Sequence, residues 1–518
     1  MNTEHPLPLT LAPEARSRLL VDALRHALDA GGNAAVQLIE THISWVLLAG
    51  DQAWKIKKPV RLGFLDFSSL EQRHFFCAEE VRLNRRYAPT VYLGVLAISG
   101  TPQRPQLGGE GPAIEYAVHM RRFPPRALLS EQLADGTLQP AHLDALADRV
   151  AALHASAAVA PPGSRWGSAD EVAAQARALL RRLHEHGADV AELERWVSQQ
   201  QSQWLPLWQQ RHDAGWVREC HGDLHLRNAV VLADGVTAFD GLEFDPALRW
   251  IDVQSDTAFM AMDLMAHDRP DLAWRFVNAW LDASGDHAGV PLLGFYLVYR
   301  ALVRALVGRL GHPTPAPTAD DYLALACRLA WRPAQPRLLL THGLSGSGKT
   351  HLTQRLLELS GALRLRSDVE RKRLFGLAAQ DTSAQRVAGS IYGAQATQRT
   401  YEQLQARARG LLLAGYPVIV DAANLRRAER EGLRAVAADL GLACTVLDCQ
   451  AETATLRQRV RARRGDASEA DEAVLEAQFS RLEPLTPAER AHTISVRTDR
   501  TVDLAALAVQ WRAAGAGS

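Results

Sequence analysis

The segment GLSGSGKT, Gly343 to Thr350, constrains this 518-residue chain more than any other. It matches G-x-x-x-x-G-K-[ST] in full, follows the apolar run RLLLTH and opens the stretch THLTQRLLEL. That context dictates strand, tight loop, helix. Glycines let loop N–H groups wrap an anion, and the helix N-terminus favours negative charge. Gly343, Leu344, Ser345, Gly346, Ser347 and Gly348 are therefore expected to cradle phosphate, with Lys349 bridging its outer oxygens and Thr350 reaching Mg²⁺. Four later runs, ALRLRSD, YPVIVDA, ACTVLDC and HTISVRT, alternate with helical segments, so a parallel sheet of βα units is expected over residues 337–518. Asp421, closing YPVIVD, is the expected second-sphere magnesium carboxylate.

Three features beyond this loop point to transfer onto an acceptor. SDVERKR sets Asp368 at a strand end with Arg371 three residues later, suited to orienting a hydroxyl and clamping a phosphate. The competing reading is that Ser367 or Asp368 only caps a helix. DAANLRRAERE offers Asn424 and Arg427 to the acceptor side. LRQRVRARRGDASEADEAVLEAQ sets Arg459 and Arg463 one turn apart, against the plainer reading of a solvated charged helix. This half resembles the P-loop kinase group that includes gluconate kinases, polynucleotide kinases and zeta-toxin-like kinases. The resemblance implies an α/β P-loop fold with a helical lid, on which Arg459 and Arg463 close over the transferring phosphoryl group. It also implies adenine contact near RTDRTVDL, and admits nucleic acid only as a 5′-end substrate.

A second constellation lies earlier. Of 58 basic residues only five are lysine, and three of these fall in AWKIKKPV, residues 53–60. In so arginine-rich a chain, a lysine persists where a compact point charge is needed. Farther on, HGDLHLRNAVVLADGVTAFD carries Asp223, Asn228 and, at the end of a strand–turn–strand reading, Asp240. One carboxylate can orient or deprotonate an acceptor hydroxyl while an amide and a second carboxylate hold Mg²⁺.

HGDLHLRN resembles the catalytic loop of the aminoglycoside phosphotransferase and choline kinase-like family, a branch of the protein-kinase fold, over roughly residues 35–330. The resemblance implies that Asp223 is the catalytic base, that Asn228 and Asp240 bind magnesium, and that VHMRRFP is the hinge between lobes. It also implies that Lys55 or Lys57 grips the nucleotide phosphates, paired with Glu80 or, alternatively, Glu79. Strand alternation puts both lysines on one face; Lys55 is preferred because Ala53 and Lys55 reproduce an A-x-K strand pattern. No G-x-G-x-x-G loop precedes them, and ETHISWV stands in its place, so backbone from Thr41 to Ser44 would cover ATP. Arg300 and Arg304, one turn apart, are candidates for holding an anionic acceptor.

The chain thus divides at the proline-marked WRPAQPR. Residues 1–332 are expected to form an α+β, bilobal protein-kinase-like domain, with a small lobe over about 35–123 and a helical lobe over about 124–330. Residues 333–336 form a linker and 337–518 the P-loop domain, each half melting independently. Formal charge is zero overall, yet 26 basic against 20 acidic residues fall after position 336, a mild excess that suits phosphate-rich small ligands. Five cysteines lack metal-ligand spacing, and no leader or long uncharged apolar run is seen, which points to a cytoplasmic chain with no membrane partner. As a whole the chain resembles bacterial fusions of a phosphotransferase-like and an ATP-binding domain. The function expected is a bifunctional kinase, each half using Mg·ATP on an unidentified small-molecule or phosphorylated acceptor. The alternatives are one catalytic half with a regulatory partner, or an ATP-hydrolysing switch.

Overall fold

The computed structural model describes residues 12–31, 35–62, 65–311, 317–379, 381, 391, 393–462, 468 and 470–514. Three strands, β1 (Gln37–Glu40), β2 (Ser44–Ala49) and β3 (Gln52–Lys57), lead to helix α1 (Leu70–Asn84). Three more follow, β4 (Tyr92–Thr101), β5 (Arg104–Leu107) and β6 (Glu115–Arg121). They make one antiparallel sheet in the order β1-β2-β3-β6-β4-β5, which places β3 inside it. Helix α1 starts at Ser69, whose hydroxyl accepts the Gln72 N–H while Gln72 reaches back to the Ser69 backbone. This reciprocal cap satisfies two donors that a helix start leaves open. The helix buries Arg73, Cys77, Glu80, Val81 and Asn84, a spacing that turns one stripe inward and carries Glu80 to β3.

The larger lobe is helical. Helix α2 (Pro140–Ser156) precedes the hairpin of β7 (Ala229–Leu232) and β8 (Gly235–Ala238). Helices α3 (Val253–Ala266), α4 (Pro270–Ser284) and α5 (Leu293–Leu310) follow. The span His287–Leu310 is long and apolar enough to cross a membrane, but 67% of its apolar 18-residue window is buried within the fold, as in a core helix.

After residue 337 come β9 (Leu338–His342), α6 (Lys349–Ser360), β10 (Leu363–Arg366), α7 (Ser367–Leu374) and α8 (Ala394–Leu413). Next are β11 (Val418–Asp421), β12 (Cys444–Gln450), α9 (Thr453–Ala462) and β13 (Thr493–Arg497). The five strands are parallel in the order β10-β11-β9-β12-β13. Every residue of β9 and β11 is buried, the continuous apolar pattern of parallel strands.

The two halves share a core. Phe276 and Trp280 of α4 belong to the same contiguous apolar cluster as Leu357 of α6 and Leu363 of β10. Trp274 meets Tyr416 edge-on at 5.9 Å and is covered by Arg332. Asn278 donates to Ala362 O at 3.0 Å and accepts from Arg364 N–H at 2.7 Å. Arg275 links Asp144 of α2 to Glu358 of α6. Independent melting is therefore replaced as the expectation, because separation would strip partners from buried amides and charges. Trp274→Ala should cost about 3 kcal/mol and lower one shared calorimetric transition. Two separated transitions, only one of them moved, would contradict a common core.

Candidate active sites

In the first half the two lysines on one face of β3 are held by acids. Lys55 Nζ lies 2.8 Å from Glu80 Oε1 and 2.5 Å from Asp240 Oδ1. Lys57, wholly buried, pairs with Glu80 Oε2 at 2.6 Å and with Glu243. Burial would lower both ammonium pKa values, but Asp240 and Glu80 for Lys55, and Glu243 and Glu80 for Lys57, raise them above the ordinary value. Burial alone would push Glu80 up, but the two lysines hold it down. Lys57 is thus sealed into the fold, whereas Lys55 reaches the half-exposed Asp240. Lys58 turns elsewhere, to Glu40 and the face of Trp45.

Asp240 follows β8 with φ of +59°, a left-handed conformation costly for a non-glycine residue. It is fixed there: its N–H donates to Tyr92 Oη at 3.0 Å, and Gly241 N–H donates to buried Asn84 Oδ1 at 2.7 Å. On the segment from His221 to Asn228, Asn228 Nδ2 donates to Asp223 Oδ2 at 2.9 Å and to the Asp223 carbonyl at 3.0 Å. Asn228 Oδ1 makes no hydrogen bond among the described residues. Phe239 N–H donates to Asn228 O at 2.9 Å, which sets the half-exposed Asp240 next along the chain beside Asn228, and both side chains offer hard oxygens of the kind Mg²⁺ takes. His225 Nδ1 accepts from Arg227 N–H, so its Nε2–H is the donor facing Asp223 Oδ2 at 3.3 Å. Burial would raise the Asp223 carboxyl, but His225, with Arg304 and His221, holds it below the usual range.

The loop hangs from helix α3. Asp256 accepts N–H bonds from His221 at 3.1 Å and Gly222 at 2.9 Å, and pairs with His154 Nε2 at 3.0 Å. Asp263 accepts from Leu226 N–H and Tyr322 Oη. Gly222 has φ of +82°, and a Cβ there would lie 2.7 Å from Leu248 O. Sequence reasoning missed Asp256, Asp263, Asn84 and Glu243; only Glu243, three residues after Asp240, carried a local signal.

Arg300 corrects an expectation. It is buried, donating to Gly222 O at 3.0 Å and Ser255 O at 3.2 Å, so it props the loop instead of facing an acceptor. Arg304 stays beside Asp223 electrostatically and stacks on Tyr322. Thr41 N–H donates to Ser44 O at 2.9 Å, so a tight turn stands where a glycine-rich loop would be.

In the second half, the loop from Gly343 to Gly348 joins β9 to α6 as the motif requires. Gly343 has φ of +140°, and a Cβ there would lie 2.5 Å from Cys449 O. Lys349 Nζ folds onto Gly343 O at 2.9 Å and Leu344 O at 2.8 Å. A cavity of about 630 Å³ runs from Lys349, Thr350 and Asp421 to Asp368, Arg371 and Arg426. Thr350 and Asp421 offer oxygens that fit Mg²⁺, and Thr353 Oγ1 lies 3.1 Å from Asp421 Oδ2. Burial raises the Asp368 carboxyl, offset by Ser468 and Arg371. Arg371 is braced by Ile391 O and Thr397 Oγ1, both at 3.2 Å.

Three expectations change here. Asn424 is fully buried at φ of +49° with Nδ2 on Thr341 O at 2.6 Å, so it shapes the turn, and Arg426 lines the cavity instead. Arg427 points away, paired with Glu431. Arg459 donates to Thr498 O at 2.7 Å and Gly346 O at 3.3 Å. It thereby borders a second cavity, lined also by Gly348, His351 and Thr501, and buttresses the loop instead of closing over the acceptor. Arg463 lies outside the described residues.

The AAA domain family matches residues 338–485. The uncharacterized protein Rv2004c of Mycobacterium tuberculosis is 32% identical over 457 residues, 86% of this chain and 90% of its own. The chain belongs to the family of that mycobacterial protein. Among solved structures, a choline/ethanolamine kinase family protein from Mesorhizobium loti is 15% identical (TM-score 0.37), covering 61% of this chain and 96% of its own. A sugar kinase from Janibacter sp. HTCC2649 is 20% identical (TM-score 0.28), covering 35% and 99%.

Asp256 yields a pH prediction. Its ordinary value is 3.8; burial would raise it, but His154, His221 and Arg300 hold it at about 2. A depressed carboxyl stabilises fully above 3.8 and loses that contribution as pH falls through about 2. Asp256→Asn should therefore be less stable by about 2 kcal/mol at neutral pH, the gap from wild type narrowing across that acid window. A gap constant with pH would contradict the assignment.

Proposed function

We propose that the chain is a bifunctional ATP-dependent phosphotransferase, with one Mg·ATP site in residues 1–332 and another in 337–518, joined by 333–336. The observation that carries this reading is the Lys55–Glu80–Asp240 cluster, tied to the Asp223–Asn228 pair by Phe239 N–H donating to Asn228 O, together with a complete phosphate loop opening on an acid- and arginine-lined cavity.

In the first site, Lys55 grips the nucleotide phosphates and Glu80 fixes its ammonium. Asp223 orients the acceptor hydroxyl and receives its proton as the oxygen–phosphorus bond forms and the bond to ADP breaks. His225 and Asn228 hold that carboxylate in place. Asn228 and Asp240 hold the magnesium, which when bound neutralises phosphate charge. In the second site the loop amides and Lys349 hold the phosphates, Thr350 and Asp421 provide the metal oxygens, and Asp368 orients the acceptor. Arg371 and Arg426 suit an anionic group on that acceptor. The shared core favours a second reading, in which one half binds ATP to regulate the other.

The test is transfer of labelled γ-phosphate from ATP into fractionated cell extract. Asp223→Ala should abolish one set of products and Lys349→Ala reduce the other by about a hundredfold or more. If Asp223→Ala changes no product, the first half is not an enzyme; if Lys349→Ala silences both sets, the regulatory reading replaces the bifunctional one.

A further inference from the structure

The end of helix α4 belongs to the kinase-fold half, yet its side chains reach the working parts of the P-loop half. Asp282 Oδ2 lies 3.7 Å from Arg364 Nη2 and 3.9 Å from Arg366 Nη1, and its side chain is largely buried. Arg364, on β10, donates from Nη1 to Thr350 O at 3.5 Å and to Thr353 Oγ1 at 3.4 Å. Thr353 Oγ1 in turn touches Asp421 Oδ2. Arg366 lines the acceptor cavity beside Asp368. A third arginine, Arg373 of α7, donates to the carbonyls of Leu281 and Asp282 at the C-terminal end of α4. Gly285, at φ of +75°, ends the helix there, and a Cβ on it would come within 2.6 Å of Arg373 Nε. The backbone is thus fitted to the arginine.

Arg364 and Arg366 repel one another, whereas Arg373 is also paired with Glu370. Burial lowers the Arg364 pKa, and Arg366 lowers it further, while Asp282 and Asp421 oppose the shift. A buried cation without a counter-charge either loses its place or drags its neighbours with it. Asp282 supplies that counter-charge from the other half of the chain, beside Asp421 from the P-loop half.

We propose that Asp282 is a positioning residue of the P-loop site. By fixing Arg364 it sets Thr350, Thr353 and Asp421, and by fixing Arg366 it sets the charge at the acceptor side. The P-loop site is then built by both halves, and its metal-side oxygens depend on a carboxylate that the P-loop half does not contain. This rests on the reading of that site as one for Mg·nucleotide.

A carboxylate that only holds the seam together would give a different result from one that orders the metal side. The probe is ADP, titrated calorimetrically with and without Mg²⁺ into full-length protein carrying Asp240→Ala, which removes the first site's metal carboxylate. Adding Asp282→Asn, which keeps the side-chain shape, should raise the Mg²⁺ concentration needed for half-maximal ADP binding by about tenfold, the scale seen when outer partners of metal ligands are lost. ADP affinity in chelator should stay unchanged. Arg275→Met, which breaks a seam ion pair away from the cavity, should leave the Mg²⁺ requirement alone. The proposal is overturned if Asp282→Asn leaves the Mg²⁺ requirement unchanged. It is equally overturned if Asp282→Asn and Arg275→Met weaken binding by the same factor with and without Mg²⁺. If the Asp240→Ala protein has no Mg²⁺-dependent ADP binding that Lys349→Ala removes, the reading of the P-loop site fails and this inference with it.

Discussion

Helix α4 is the element on which the rest of the structure depends, because it is buried from two sides by different halves of the chain. Leu272, Trp274, Phe276, Val277, Asn278, Trp280 and Leu281 are all buried along it. Toward the N-terminal half, Trp280 Nε1 donates to His154 Nδ1 at 3.2 Å, and His154 holds Asp256, from which the amides of His221 and Gly222 hang. Toward the P-loop half, Asn278 closes on Ala362 and Arg364. Within little more than one turn, residues 278–282 touch the supports of both candidate sites. A helix so placed has little freedom to shift without disturbing both, since close-packed interiors transmit displacement.

Both sites rely on charges placed before any ligand arrives. Lys57, Glu80 and Glu243 form a sealed cluster that fixes the far oxygen of Glu80, leaving its other oxygen to Lys55. Asp256 does comparable work for the loop backbone. Such fixed groups lower the reorganisation needed when phosphate charge develops, which is the principal way proteins assist phosphoryl transfer. Buried ion clusters are a weak source of stability, so orientation is the better reason for their cost.

The parts legible in the sequence were those with short-range rules. GLSGSGKT between an apolar strand and a helix set the loop geometry, and the parallel direction of the strands, though not their order, followed from βα alternation. Strand alternation brought Lys55 and Lys57 to Glu80, as the i, i+2 pattern requires. What was not legible depended on distant packing. The amphipathic spacing of Arg300 and Arg304 could not tell which guanidinium would turn inward to the carbonyls of Gly222 and Ser255. Asn424 resembled a polar loop residue, but its left-handed backbone takes it into the core under Thr341. The proline-rich WRPAQPR marked a change of pattern, and nothing local announced that Trp274 would meet Tyr416 across it.

The most direct test of the account is the number of Mg·ATP molecules bound per full-length chain, measured by calorimetry on wild type, Lys55→Met and Lys349→Ala. Two sites in the wild type, with one lost in each variant and the other retained, is the result the account predicts. One site in the wild type, untouched by Lys55→Met and abolished by Lys349→Ala, would contradict it and leave the kinase-like half as a scaffold.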